Sequence, residues 1–225
     1  MTEPMITEHV TGGYILVRSS SGSPPWMPEE LGVTRTISAS EGLVPAFPLP
    51  TWAGDFDALA TRFGMGMEEG RAAGRRADEL FDAHRLGWPN VFIECADATE
   101  FRHSFLPGRA DVVVLGIGLL ERHAAAVLEV ESQSAVAERL ALGDALEERG
   151  TALGYELLGL DVPPLVSWAA NHLPALVHDR LGIRVNEDGL IASFDDACSA
   201  AELISRPDVA SEPLPWWPWL LVEYP

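Results

Sequence analysis

Runs of apolar residues alternate along the chain with segments in which apolar side chains recur every three or four positions. The clearest apolar run covers residues 111–117 and is typical of a central strand that is buried on both faces. The clearest amphipathic segment covers residues 67–86, where Ala73, Ala77 and Leu80 share one face of a predicted helix. This alternation predicts an α/β fold.

The same reasoning places further elements along the chain. Strands are predicted at residues 13–18, 33–38, 91–95, 151–159 and 216–224. Helices are predicted at residues 55–63, 97–106, 119–142 with a break near 132–134, 167–182 with a kink at Pro174, and 193–206. Asp97 is the expected cap of the second of these helices, and Ser193 or Asp195 of the last. We therefore expect one mixed domain over residues 1–225, with a central sheet flanked by helices and an irregular part with short strands at residues 1–50.

The charge balance narrows the classes of partner. The chain has 34 acidic residues against 15 basic ones, all of them arginine, which gives a formal net charge of −19. This charge repels phosphate backbones and anionic membrane surfaces, so neither nucleic acid nor membrane is an expected partner. With no basic and apolar leader near Met1, and no apolar run of about 18 residues, we expect a cytoplasmic protein. Two cysteines, Cys95 and Cys198, cannot form a disulfide scaffold.

Gly116 and Gly118 form the first candidate motif, because they follow an apolar strand and precede a helical pattern. A dinucleotide-binding turn has this arrangement, but it needs a third glycine where Glu121 stands here. The favoured interpretation is a tight strand-to-helix turn that uses glycine for backbone freedom. Accordingly, no cofactor is predicted.

Glu100 and His103 are spaced as in half of a di-iron carboxylate site. No second Glu-x-x-His motif is present, and the two cysteines lack zinc spacing. We therefore predict no metal site and interpret Glu100 and His103 as a surface pair.

A group of carboxylates gives weak candidates for catalysis. Glu94, Cys95 and Asp97 lie at the end of a predicted strand, and Glu156 lies late in another. Ligands of open α/β sheets gather beyond the carboxyl ends of strands, and paired carboxylates can perform acid–base work there. Helix caps or rim charges are the plainer interpretation. Cys95 acts as a nucleophile only with a base beside it.

Trp168, Asn171 and His172 are the candidate binding residues. On a helical backbone these three side chains share one face, where an aromatic ring, an amide and an imidazole line a pocket. His172 is also a weak candidate for acid–base catalysis. The simpler interpretation is a boundary helix with a half-buried tryptophan and a solvated histidine.

Several short segments between residues 87 and 225 together resemble an uncharacterised protein family of high-GC bacteria. The segments cover residues 87–92, 115–119, 153–156, 167–168, 181–184 with Asn186, 189–191, 217–220 and 224–225. The resemblance implies no assigned activity and no catalytic residues. It does imply a Cys-Asn pair where Ala170-Asn171 stands in this chain.

Two functional hypotheses follow from the sequence. The first is a non-catalytic acidic protein, of the immunity or antitoxin kind, whose carboxylates form a patch that attracts a basic protein partner. The second is a small soluble enzyme of specialised metabolism, with a pocket built from Glu94, Asp97, Glu156, Trp168, Asn171 and His172. The first predicts acids gathered on one face, and the second predicts an enclosed cavity with convergent polar groups.

Overall fold

A computed structural model describes residues 5–24, 27–41, 64–88, 91–160, 165–209 and 214–225. Within these ranges the strands are β1 (His9–Arg18), β2 (Ser20–Ser21), β3 (Arg35–Thr36), β4 (Leu86–Gly87), β5 (Val91–Phe92), β6 (Val112–Leu120), β7 (Thr151–Leu160), β8 (Leu165–Ser167) and β9 (Trp216–Tyr224). The α-helices are α1 (Met67–Asp82), α2 (Cys95–Phe105), α3 (Glu121–Val130), α4 (Ala135–Leu142), α5 (Leu173–Leu181) and α6 (Phe194–Ile204). The helix predicted at residues 55–63 lies outside the described residues.

All the strands except β2 and β3 form one antiparallel sheet, in the order β4-β5-β1-β6-β9-β7-β8. Strand β6 lies at its centre, and its residues 112–119 are buried. Val112 and Val114 pack on one face, whereas Val113 and Leu115 pack on the other. The prediction of a central strand buried on both faces is thus confirmed, although its neighbours are antiparallel.

Helices cover both faces of this sheet. Helices α1, α2, α5 and α6 pack against the face that carries Tyr14 and Leu220. Helices α3 and α4 pack against the opposite face, together with Ile37 and Ala39 from the segment that follows β3. The expected α/β fold class, a mixed domain with a central sheet between helices, is confirmed.

Local sequence accounts for where several helices begin and end. Helix α6 begins after Ser193, whose hydroxyl accepts a hydrogen bond from the Asp196 amide, as the sequence predicted. Helix α1 buries Ala73, Ala77 and Leu80, and it ends at Asp82, earlier than predicted. The break predicted near 132–134 separates α3 from α4.

Two predicted helix starts are wrong. Strand β5 ends at Phe92 and α2 begins at Cys95 with Glu94 as its N-cap, so Asp97 lies inside the first turn and caps nothing. The helix predicted at 167–182 begins only at Leu173, after strand β8 and a turn. Pro174 then lies in the first turn of α5, where a missing amide hydrogen costs nothing, and no kink is needed.

The glycines of the supposed strand-to-helix turn lie inside β6. Gly116 pairs with Tyr14 and Val222, and Gly118 pairs with Thr11 and Leu220. A Cβ atom on Gly116 would lie 2.7 Å from the Tyr224 ring. The glycines are therefore required by close packing over the strand, and both the dinucleotide and the tight-turn interpretations are wrong.

Candidate functional site

Glu156 is a carboxylate buried in the sheet, with 1% of its surface exposed. It lies in β7 between Tyr155 and Leu157, which point to the opposite face. Its Oε1 atom accepts hydrogen bonds from Ser38 Oγ and Ser167 Oγ, both at 2.5 Å. Its Oε2 atom accepts one from the Ala39 amide at 2.8 Å. Buried carboxylates need such donors, because an unsolvated charge is otherwise very costly.

The fold brings these donors together from distant parts of the chain. Ser167 ends strand β8, which pairs with β7 so that Ser167 lies opposite Leu158. Ser38 and Ala39 lead into a 3-10 helix, Ala39–Glu41, that packs between β1 and β8. The signal in the sequence was the isolated Glu156 in an apolar strand, but nothing local identified its partners.

A second set of hydrogen bonds fixes the direction of the serine protons. Ser38 Oγ also contacts Ser40 Oγ at 2.8 Å and accepts from the Ser40 amide at 3.2 Å. A hydroxyl has one proton, and that of Ser38 is donated to Glu156, so Ser40 must be the donor to Ser38. On the other side, Ser167 Oγ accepts from the Ala169 amide at 3.1 Å.

A cavity of about 410 Å³ opens beside this network. We call it the serine cavity, because hydroxyl groups make up much of its wall. It is lined by Arg18, Ser20, Ser21, Gly22, Ser23, Pro24, Thr36, Ser38, Ser40, Ser167, Ala169 and Ala170. Its volume lies within the range of small-molecule sites.

The predicted carboxylate group is not assembled. Glu94 is exposed at the start of α2. Asp97 is buried beside it and accepts from Arg85 Nε at 2.9 Å, an ion pair that ties α2 to the chain before β4. Both residues adjoin β5, which is separated from β7, the strand of Glu156, by β1, β6 and β9. Glu94 and Asp97 therefore do not share a site with Glu156, and the acid–base roles of these residues stay predictions.

Cys95 has the properties of a structural cysteine. It is 1% exposed, and its Sγ atom lies 3.9 Å from Thr99 Oγ1. Burial raises the pKa of the Cys95 thiol, which disfavours the thiolate that a nucleophile requires.

Trp168, Asn171 and His172 do not share a helical face, because they lie in the turn between β8 and α5. Trp168 is buried, with its amide bound to the Leu157 carbonyl at 3.0 Å. Asn171 donates its side-chain amide to the Ser167 carbonyl at 3.2 Å, which braces the turn. His172 is exposed in a left-handed conformation. Their role in binding stays a prediction, and their neighbours Ser167, Ala169 and Ala170 are the residues of this segment that line the serine cavity.

Histidines and an aromatic cluster occupy a different place, where β1 begins and β6 ends. His9 Nδ1 contacts the Met5 carbonyl at 3.1 Å, and Nε2 lies 3.4 Å from Tyr155 Oη. The His123 ring lies 5.6 Å from that of Phe194. Burial lowers the pKa of both His9 and His123.

Neither a metal site nor a membrane span is found in the described part of the chain. No three histidine, cysteine or acidic side chains are placed there to share a metal ion. Glu100 instead pairs with Arg76 at 3.2 Å. None of the described helices combines the length and the apolar character that crossing a bilayer requires.

Comparisons of the chain with known protein families, with curated proteins and with solved structures found no match. The resemblance over residues 87–225 therefore stays a prediction. Function is inferred from the geometry and the charge of the chain itself.

Proposed function

We propose that this protein is a non-catalytic binding protein that recognises a basic protein partner. The observation that carries the proposal is how the arginines are used. Most of the described arginines are held in ion pairs with carboxylates of the same chain, such as Arg35 with Glu223 at 2.5 Å and Arg109 with Asp111 at 3.1 Å. In the described part of the chain, few arginines therefore remain outside such pairs to neutralise the acids that have no ion pair.

The acids without an ion pair are spread over both faces of the sheet. Asp78 and Asp82 on α1, with Asp195, Asp196 and Glu202 on α6, belong to one face, and Glu121, Glu129 and Glu138 on α3 and α4 belong to the other. The described residues therefore do not form the single acidic patch that the sequence hypothesis predicted, and the proposal rests instead on the net charge of −19 of the whole chain. A field of this kind steers a cationic partner from many directions and raises the association rate more than the final affinity.

Affinity capture at two salt concentrations tests the proposal. We expect the immobilised protein to retain a basic protein from a native lysate at about 50 mM salt and to release it at about 500 mM, because screening shortens the reach of the field. If the retained proteins are no more basic than the lysate as a whole, the proposal is wrong.

Two sets of neutralised variants locate the effect. One replaces Asp195 and Glu202 on α6 by their amides, and the matched one replaces Glu121 and Glu129 on α3 in the same way. If the field is spread out, each set slows association with the captured partner by a similar factor, measured by interferometry at low salt. If only one set of variants slows association, the partner contacts the helix that carries that set.

The second hypothesis, a small enzyme, is favoured by one observation. Two serine hydroxyls are bonded to the buried Glu156 carboxylate beside a cavity. Both lone pairs of Ser38 Oγ accept hydrogen bonds from Ser40, so Ser38 is not poised to attack a substrate. Covalent labelling of Ser167 by an organophosphonate probe would identify a nucleophile and favour the enzyme. An unlabelled Ser167 favours binding alone.

A further inference from the structure

We propose that the serine cavity is a binding site for the cationic head of a ligand, an alkylammonium or guanidinium group. This inference goes beyond the proposed function, because it assigns a chemical class to a defined cavity. It rests on the direction of the hydrogen bonds around Glu156 and on what they leave facing the cavity.

The described donors of the Glu156 network are all directed toward its carboxylate or toward the serine oxygens bonded to it. The hydroxyls of Ser38 and Ser167 and the Ala39 amide are donated to the carboxylate. The Ser40 amide and the Ala169 amide are donated to the two serine oxygens. The Ser40 hydroxyl is donated to Ser38. Among the described residues, this network therefore leaves no donor to meet an anion such as phosphate or carboxylate.

Two serine oxygens of residues that line the cavity keep acceptor positions. Ser40 Oγ keeps two lone pairs, because it only donates within the network. Ser167 Oγ keeps one, because its other lone pair holds the Ala169 amide. Polarisation by the Glu156 carboxylate makes these oxygens better acceptors, since linked hydrogen bonds strengthen one another. A ligand must therefore supply donors, and a positive charge is favoured over a neutral hydroxyl.

The remaining wall fits the outer part of such a ligand. Among the described lining residues the basic one is Arg18, and its Nε atom donates to Asp111 Oδ2 at 2.9 Å, so a carboxylate partly offsets its charge. Ser20, Ser21 and Ser23 add hydroxyls, and Ala169 and Ala170 add a small apolar surface. We place the cation at Ser40 and Ser167 and the ligand's polar stem toward Arg18.

The cation has two potential sources, a free small molecule or a basic side chain of a protein partner. Titration calorimetry on the full chain separates them with two probes, agmatine and the capped tripeptide acetyl-Gly-Arg-Gly-amide. The neutral control is the same tripeptide with citrulline in place of arginine. Tighter binding of agmatine indicates a free ligand, and tighter binding of the arginine tripeptide indicates a side chain.

Variants test whether the probes occupy the cavity. We expect Ser40→Ala to weaken binding about tenfold, because it removes an oxygen of the lining that keeps both of its lone pairs for the cation. Ala170→Leu, at an exposed position of the rim, should abolish binding by filling the cavity. Ser104→Ala, on the exposed side of α2, is the matched control and should leave the dissociation constant unchanged. Glu156→Gln should weaken binding at least about tenfold if the variant folds, which circular dichroism checks.

Three results would overturn the inference: no binding of either cation at millimolar concentration, equal binding of the citrulline control, or unchanged binding in Ala170→Leu. The proposed function fails separately. In one outcome, the natural chain and Ala170→Leu retain a basic protein equally at low salt, and neither cationic probe binds. The cavity inference then falls and the proposed function stands. If agmatine binds but no basic protein is retained, the proposed function falls and the cavity inference stands.

Discussion

Replacing Gly118 by alanine places a methyl group in the middle of the sheet where another side chain already lies. The added Cβ atom would be 2.4 Å from Leu146 Cδ1, 3.0 Å from Leu146 Cγ and 3.0 Å from His9 Cβ. Carbon atoms in contact ordinarily lie about 3.5–4.0 Å apart, so Leu146 must move by about 1 Å. Leu146 is 2% exposed and has little free space to move into. Overpacking of this kind costs about 1–3 kcal/mol.

Urea unfolding followed by tryptophan fluorescence measures this cost. We expect the Gly118→Ala midpoint to fall by roughly 1 M, given typical urea slopes of about 1–3 kcal/mol per molar. The slope itself should not change, because the native fold is retained. A midpoint within error of the natural chain would show that β6 has room for a side chain at this position, which would refute the packing argument.

A double-mutant cycle identifies Leu146 as the side chain responsible. Leu146→Ala alone should lower the free energy of unfolding by about 2–5 kcal/mol, because it leaves a cavity. In the Gly118→Ala background, the alanine methyl fills part of that space and no longer clashes. The loss in the double variant should therefore be smaller than the sum of the single losses by about 1 kcal/mol or more. Strict additivity would mean that the two side chains do not compete for the same space.

Three further predictions concern other parts of the molecule. Asp97→Asn should reduce the free energy of unfolding by about 1–3 kcal/mol in urea titrations, because it leaves half-exposed Arg85 without its buried carboxylate. An unchanged midpoint of urea unfolding would contradict this prediction. Stability should fall as the pH drops below about 6.5, because burial lowers the pKa of His9 and His123 and the unfolded chain therefore binds the extra protons. His123→Gln should flatten that fall between pH 7.5 and 5.5, and an equally steep fall would exclude His123. Val113→Asp should abolish the folded state seen by circular dichroism, since it buries an unpaired charge in the central strand; a soluble, folded variant would contradict the placement of β6.

The long strands and helices could be predicted from the sequence because the spacing of their apolar residues follows directly from which side chains are buried. The run at residues 111–117 lies between two strands and under helices on both faces, so nearly every side chain in it is apolar. Helix α6 could be placed because Ser193 caps it and Ala197, Ala200 and Ile204 recur on its buried side. In both cases the physical cause acts within one segment of chain.

The failures have a different origin. Gly116 and Gly118 suggest a turn when only their neighbours in sequence are considered, but the groups that require them, Leu146 and Tyr224, come from distant segments. The hydrogen bonds around Glu156 show the same limit. Glu156 could be identified as an unusual acid in an apolar strand, whereas its partner Ser38 lies 118 positions away in the sequence.

The strand order also bears on how fast this chain can fold. The pairings at the centre of the sheet, β1 with β6 and β6 with β9, join residues roughly a hundred positions apart, whereas the short β2–β3, β4–β5 and β7–β8 ladders join strands that follow one another in the chain. Closing such long loops costs entropy before any central contact repays it. Refolding is therefore expected to take milliseconds to seconds. We expect the short ladders at the two edges of the sheet to form before the pairings at its centre.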